Sequence, residues 1–154
     1  VTVMTITMIR IEQMNSTYYT FSNADEFLTL ALAQKFLDKD EEEAKMLGYQ
    51  GCYDALRENF RRDSLAMRID DICFAVLTRC GFLTLFFTKK LNRANYDRVF
   101  EILAQEVKNN VDRFLSIRTV TLPSYKQSRR NLAKVGFKVG SIYYDYIEYV
   151  IYKE

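Results

Sequence analysis

The sequence predicts an α+β fold, α/β-like in its packing, with a single mixed β-sheet carrying helices on both faces and residues 1–154 forming one domain. Three observations lead there. Of 154 residues 49% are hydrophobic and 14% aromatic, with one proline and five glycines, so burial can offset the entropy lost on ordering the chain. From Leu65 onward the apolar residues change from helical spacing to alternation. Beyond Asn95 they return to steps of three and four over a long stretch whose apolar side requires a sheet to pack on.

The segment Thr5–Glu12 alternates and reads as a first strand, with Ile9 and Ile11 inward and Asn15-Ser16 breaking the run. Val1–Ile11 has neither a basic leader nor a small-residue cleavage site, which favours a strand over a signal peptide. Ser22 or Asn23 can cap a helix, because Asp25 and Glu26 then lie in its positive first turn. Phe27, Leu28, Ala31 and Leu32 give its apolar face, and it should end near Phe36–Asp38. Asp38–Glu43 holds five carboxylates and one lysine. A metal or macromolecule site is one reading; consecutive Glu41, Glu42 and Glu43 fan around a helix, however, and the expectation is a solvated face. Tyr53, Leu56 and Phe60 mark a further helix that ends in Arg61-Arg62.

Leu65, Met67 and Ile69 alternate, Asp70-Asp71 offers a turn, and Ile72–Leu77 is a second strand of the same meander. Arg79-Cys80-Gly81 turns the chain into Phe82–Thr88, continuously apolar and therefore central. A helix over Asn95–Phe114 carries Tyr96, Val99, Phe100, Leu103, Val107, Val111 and Phe114 on one side. Ile117–Leu122 is a strand stopped by Pro123. Ser124 can cap a helix to Val135, which Gly136 terminates in a left-handed conformation. Phe137–Ile142 and Ile147–Tyr152 are the last strands.

Charge narrows the function. The net charge is +2, divided as −3 over residues 1–62 (7 basic, 10 acidic) and +5 over 63–154 (15 basic, 10 acidic), so an anionic ligand would meet the second half. The absence of histidine excludes Ser-His-Asp, Cys-His and His-ligated zinc chemistry. Cys52, Cys73 and Cys80 have neither metal-ligand nor redox-motif spacing, and reduced thiols in an intracellular compartment are expected. No metal site is expected. No apolar run is long enough to insert in a membrane.

The strand FLTLFFT, the helix NYDRVFEILAQEVKNNVDRF and the tail SYKQSRRNLAKVGFKVGSIYYDYIEYVIYKE together resemble the fourth strand, third helix and final third of the GNAT superfamily of N-acetyltransferases. The resemblance covers residues 64–154 well and the preceding helices loosely. It implies acetyl coenzyme A held by the loop Lys89-Lys90-Leu91-Asn92-Arg93-Ala94, where backbone N–H groups and the following helix dipole would meet the pyrophosphate. Lys89, Lys90, Asn92 and Ala94 are the cofactor-binding candidates, with Ala94 at the family's final small position and Asn92 where a glycine is usual. Leu132 occupies the place of the tyrosine that protonates the departing thiolate in many members, and Tyr125 that of a common asparagine. Asp70 and Asp71 are the carboxylates of the meander; both sit in a turn and read as structural, which leaves no catalytic residue assigned.

Two surfaces complete the reading. Lys126, Arg130 and Lys134 lie at i, i+4 and i+8 with Arg129 adjacent, a positive face able to meet an acidic protein or nucleic acid although no nucleic-acid motif accompanies it. Tyr143, Tyr144 and Tyr146 in the final strand pair suit a protein interface or ordinary cross-strand packing. In size and element order the chain is also similar to degenerate acetyltransferase-like internal virion proteins of short-tailed phages. That similarity implies a non-catalytic interaction or structural module, located in the host cytoplasm or packaged in the virion, with no cofactor and with a protein partner or homo-oligomer. The alternative is an acetyl-coenzyme-A-dependent N-acetyltransferase acting on an amine.

Overall fold

The computed structural model describes residues 14–89 and 93–153, with side chains from Tyr96 onward in the second stretch. The strand expected over Thr5–Glu12 lies outside the described residues. The first described strand is instead β1 (Ser16–Thr20), in the place where Asn15-Ser16 was expected to break the chain. Its β-branched and aromatic residues suit a pleated edge, and it pairs antiparallel with β2 (Leu65–Ile69). β3 (Cys73–Leu77) and β4 (Leu83–Phe87) continue the antiparallel sheet in the order β1-β2-β3-β4, so the expected meander is present.

Three helices join β1 to β2: α1 (Ala24–Leu32), α2 (Asp38–Met46) and α3 (Cys52–Asn59). A single 3-10 turn, Phe21–Asn23, precedes α1, which ends earlier than expected. These helices cover one face of the sheet around Phe27, Phe36, Leu56, Phe60, Phe74 and Phe86. The opposite face is covered by α4 (Arg93–Phe114), whose Phe100 and Leu103 are 5% and 2% exposed, as their spacing requires.

After α4 the chain forms β5 (Ser116–Thr121), α5 (Lys126–Val135), β6 (Lys138–Ile142) and β7 (Ile147–Tyr152). β7 lies centrally in the antiparallel order β5-β7-β6. The cap expected at Ser124 is not made: α5 begins at Lys126 with Tyr125 preceding it and no side-chain cap. At its other end Gly136 adopts φ +115°, the left-handed stop expected.

The two halves of the mixed sheet meet where β4 and β5 run parallel. Arg118 N–H donates to Gly81 C=O at 2.8 Å, and Phe82 and Arg118 form a single parallel bridge. Gly81 makes this junction possible. Its φ is +86°, and a Cβ there would stand 2.5 Å from the Ser116 carbonyl oxygen, closer than any side chain permits.

Candidate functional site

From that junction β4 and β5 separate, and the separation exposes backbone. Phe82 C=O and Thr88 N–H both bond to the β3 side of β4, to Thr78 N–H and Ile72 C=O. In an antiparallel ladder this makes the even-numbered residues of β4 face β3 and the odd-numbered ones face β5. Leu83 C=O accordingly accepts the Thr119 hydroxyl at 2.8 Å. At the far end Phe87 C=O accepts Leu37 N–H at 2.9 Å, and Lys89 N–H reaches Lys35 C=O at 3.0 Å, so the α1–α2 connection closes that end. Between them, the N–H and C=O of Leu85 point into the gap.

A cavity of about 170 Å³ occupies this gap. It is walled by β4 and Thr119–Thr121, and it reaches both faces of the sheet: Phe100, Ser128, Asn131 and Leu132 on the α4/α5 side, Asp40, Glu43 and Tyr49 on the α2 side. Thr84, 7% exposed, also lines it, and its buried hydroxyl has no hydrogen-bond partner among the described residues. A larger cavity of about 430 Å³ lies elsewhere, between α4 and strands β1–β3, and is mostly apolar apart from the Tyr18–Glu106 hydrogen bond and Asn23, Asn109 and Asn110 at its edge.

The carboxylates at the gap correct the reading of Asp38–Glu43 as a solvated face. Asp40, Glu43, Ala44 and Leu47 recur at i, i+3, i+4 and i+7, so they form the inward stripe of α2, with Ala44 fully buried. Asp40 Oδ2 accepts the Phe87 N–H at 2.8 Å on β4. One turn later, Glu43 Oε2 accepts the Thr121 hydroxyl at 2.7 Å on β5 and the carboxylate also meets Leu122 N–H. The two carboxylates thus bridge the two arms of the gap. Burial pushes the Asp40 carboxyl up to about 7; the Phe87 N–H opposes the shift and the Glu43 charge adds to it. Burial likewise raises Glu43, against the stabilising bonds from Thr121 and Leu122. Glu41 accepts Cys52 N–H at 2.7 Å and so ties α2 to the start of α3. The sequence signal for this site is the spacing of three between Asp40 and Glu43 in phase with Ala44 and Leu47, which the run Glu41-Glu42-Glu43 masks.

The residues singled out from sequence are scattered. Lys89 pairs with Asp38 at 2.5 Å at the end of β4. Lys90 and Asn92 lie outside the described residues, and Ala94 is placed only as backbone in the first turn of α4. Lys126, Arg130 and Lys134 are exposed on α5, with Lys134 facing Asp97 at 3.8 Å. Arg129 turns away from that face, donating to the Tyr149 hydroxyl at 3.1 Å and Pro123 C=O at 3.4 Å. Tyr143 and Tyr146 pack ring on ring at 4.6 Å across the hairpin, while Tyr144 is 99% exposed. Asp70 bonds Asn15 N–H and Asp71 pairs with Arg68, both as turn structure. Tyr125 reaches Glu42 at 3.3 Å, and Leu132 lines the cavity. Among the described residues no helix is long and apolar enough to cross a membrane.

No family model matches the sequence, and no curated protein matches it. Solved structures do match. The GNAT domain of S. lividans PAT is 11% identical with a TM-score of 0.63, over 90% of this chain and 89% of that one. A dodecameric spermidine N-acetyltransferase from Vibrio cholerae is 8% identical with a TM-score of 0.55, over 92% and 94%. Mycobacterium smegmatis RimJ in complex with CoA-disulfide is 12% identical with a TM-score of 0.53, over 89% and 81%. The TM-scores and coverage show the GNAT fold. They count against the expectation of no cofactor, because the proteins that share this fold are acetyltransferases, one of them solved in complex with CoA-disulfide. The gap in this chain fits such a group, since Leu85 offers a donor and an acceptor to an extended amide chain beside an unpartnered buried hydroxyl.

Proposed function

We propose that this chain is an acetyl-coenzyme-A-dependent N-acetyltransferase acting on an amine. The observation that carries this reading is the gap between β4 and β5, open to helices of opposite character on its two faces. On the α4/α5 side, Lys126, Arg130 and Lys134 lie near enough in sequence and helix face to favour an anionic coenzyme. Within the gap, the pantetheine amides would pair with Leu85 N–H and C=O as an added strand does. Lys89 and Lys90 remain candidates for the phosphates, together with Asn92 and with Ala94 in the first turn of α4. When bound, the coenzyme supplies an activated acyl thioester. Leu132 provides no acid for the departing thiolate, so water or the proton lost by the attacking nitrogen would neutralise it.

The test is release of free coenzyme A thiol from acetyl coenzyme A in the presence of a panel of primary amines. Amine-dependent release with one acetyl group appearing on the amine per thiol supports the reading. No release above the uncatalysed rate with any amine contradicts it.

A second reading, a protein-interaction role, draws on the outer strand. All of β6 is exposed, Ile142 is 75% exposed, and Tyr143 and Tyr144 continue the surface. An uncovered strand edge with apolar side chains is a ready site for pairing with another chain, and a second copy of this chain is the occupant to test first. Sedimentation of the wild type should show a homo-oligomer that Ile142→Ser with Tyr144→Ser dissociates; a monomer at all concentrations rejects it.

A further inference from the structure

The larger cavity, of about 430 Å³, lies on the α4 face of the sheet and apart from the gap. Alternation along the strands explains it. Tyr19 is buried in the core on the α1–α3 face, so its neighbours Tyr18 and Thr20 are what β1 offers to the α4 side. On the next strands Met67 of β2 pairs with Ala75 of β3, and Ala75 with Leu85 of β4. The middle rung therefore carries only a methyl group between two long side chains, which leaves space against Leu103 and Val107 of α4. The remaining walls are mostly apolar, Leu77 and Ile117 among them.

Polar groups are confined to the mouth. There the Tyr18 hydroxyl donates to Glu106 Oε1 across 88 positions of sequence and ties β1 to α4. Glu106 is the one charged side chain among the described residues that line the cavity. A carboxylate has two oxygens, so acceptor capacity remains after that bond. One turn further, Asn110 donates its side-chain amide to Glu106 C=O at 2.7 Å, which leaves its own side-chain oxygen to accept. The i, i+4 spacing puts these two acceptors on one side of α4. Asn23 and Asn109 at the edge are neutral and do not offset the charge of Glu106. An anion at the mouth would be repelled, whereas an ammonium group can bond both acceptors.

Volume and lining suit a small ligand. Ligand pockets run to about 300–1,000 Å³ and are apolar with a few placed polar groups, and an apolar void of about 150 Å³ already takes a benzene ring. The space here has room for a ring and a short chain. We infer that this cavity is a binding site for a small amphiphile, whose hydrocarbon body lies between α4 and the β2–β3 strands and whose ammonium head rests on Glu106 and Asn110. The site stands apart from the transferase reading and does not require it. Leu83 is a wall common to both cavities, and its carbonyl accepts the Thr119 hydroxyl on the gap side.

The experiment titrates full-length protein, carbon-13-labelled at the alanine and methionine methyls, with 4-phenylbutylammonium near pH 7 and follows the spectrum by NMR. The Ala75 and Met67 methyl signals should shift and saturate at one ligand per chain. 4-Phenylbutyrate, with a similar body and the opposite charge, should bind at least about tenfold more weakly, because it forfeits the charged hydrogen bond. Glu106→Gln keeps an oxygen for the Tyr18 hydroxyl and should bring the two affinities within about threefold of each other. Ala75→Leu places its added carbons in the void, so it should fold and abolish the Met67 response to the probe. If that variant melts early, the charge comparison in the wild type and in Glu106→Gln still decides. No shift of either methyl at millimolar probe overturns the assignment. A carboxylate that binds as tightly as the ammonium also overturns it, as does a folded Ala75→Leu with wild-type affinity, which puts the probe elsewhere. No acetyl coenzyme A is present in this titration, so each of these failures leaves the transferase reading standing.

Discussion

Asp40 and Phe87 are 47 positions apart, yet the carboxylate accepts the Phe87 N–H at 2.8 Å and so fixes the first turn of α2 against the last residue of β4. The contact keeps a titratable group in a place where ionisation is disfavoured. Because the Asp40 carboxyl is raised from 3.8 to about 7, the folded chain holds more protons than the unfolded chain between those values. Stability therefore declines as pH rises through that window, and Glu43, also raised, acts in the same direction. Asp40→Asn should match the wild type near pH 4 and exceed it by about 2 kcal/mol near pH 8, allowing for water at the gap. Urea denaturation at the two pH values measures this, and equal differences at both would contradict it.

Thr121 bears on the other arm. Its hydroxyl donates to Glu43 at 2.7 Å, so Thr121→Val leaves a half-buried carboxylate with one donor fewer. A loss of about 1–2 kcal/mol at pH 8, shrinking as Glu43 is protonated, is expected from the cost of an unmet buried acceptor. The same denaturation series, read against pH, checks it.

Gly81→Ala tests the junction. The added Cβ would meet the Ser116 carbonyl at 2.5 Å, and backbone would have to move on a residue already at φ +86°. We expect a loss of about 2–4 kcal/mol, together with faster amide exchange at Arg118, whose N–H bonds Gly81 C=O. Unchanged exchange at Arg118 would show that β4 and β5 are not held together there.

Phe100→Asp and Leu103→Asp should each cost about 3–5 kcal/mol, because both side chains lie in the core between α4 and the sheet. Circular dichroism melting would register either as a large fall in Tm, and a melting point near that of the wild type would place α4 wrongly.

The elements legible in the sequence were those whose apolar period is strong and whose ends carry a geometric stop. α4 and the meander from Leu65 to Phe87 are of this kind, and Gly136 ended α5 as its freedom at positive φ allows. β1 was not legible, since Ser16–Thr20 is short and only Tyr19 is buried; its strand state depends on pairing with β2, far away in sequence. The site was hidden for a related reason. Asp40 and Glu43 look like any solvated helical carboxylates until β4 and β5 supply Phe87 N–H and the Thr121 hydroxyl, and sequence does not reveal that the strands part. Of the positions read from family resemblance, Lys89 follows β4 in an ion pair with Asp38, and Leu132, which stands where many members have a tyrosine, lines the gap.

We propose that the gap beside Leu85 takes acetyl coenzyme A. Calorimetric titration of acetyl coenzyme A into the wild-type protein tests it directly. One saturable site per chain, weakening as salt is raised because phosphates meet basic side chains, is the predicted result; no heat of binding at millimolar ligand would contradict it.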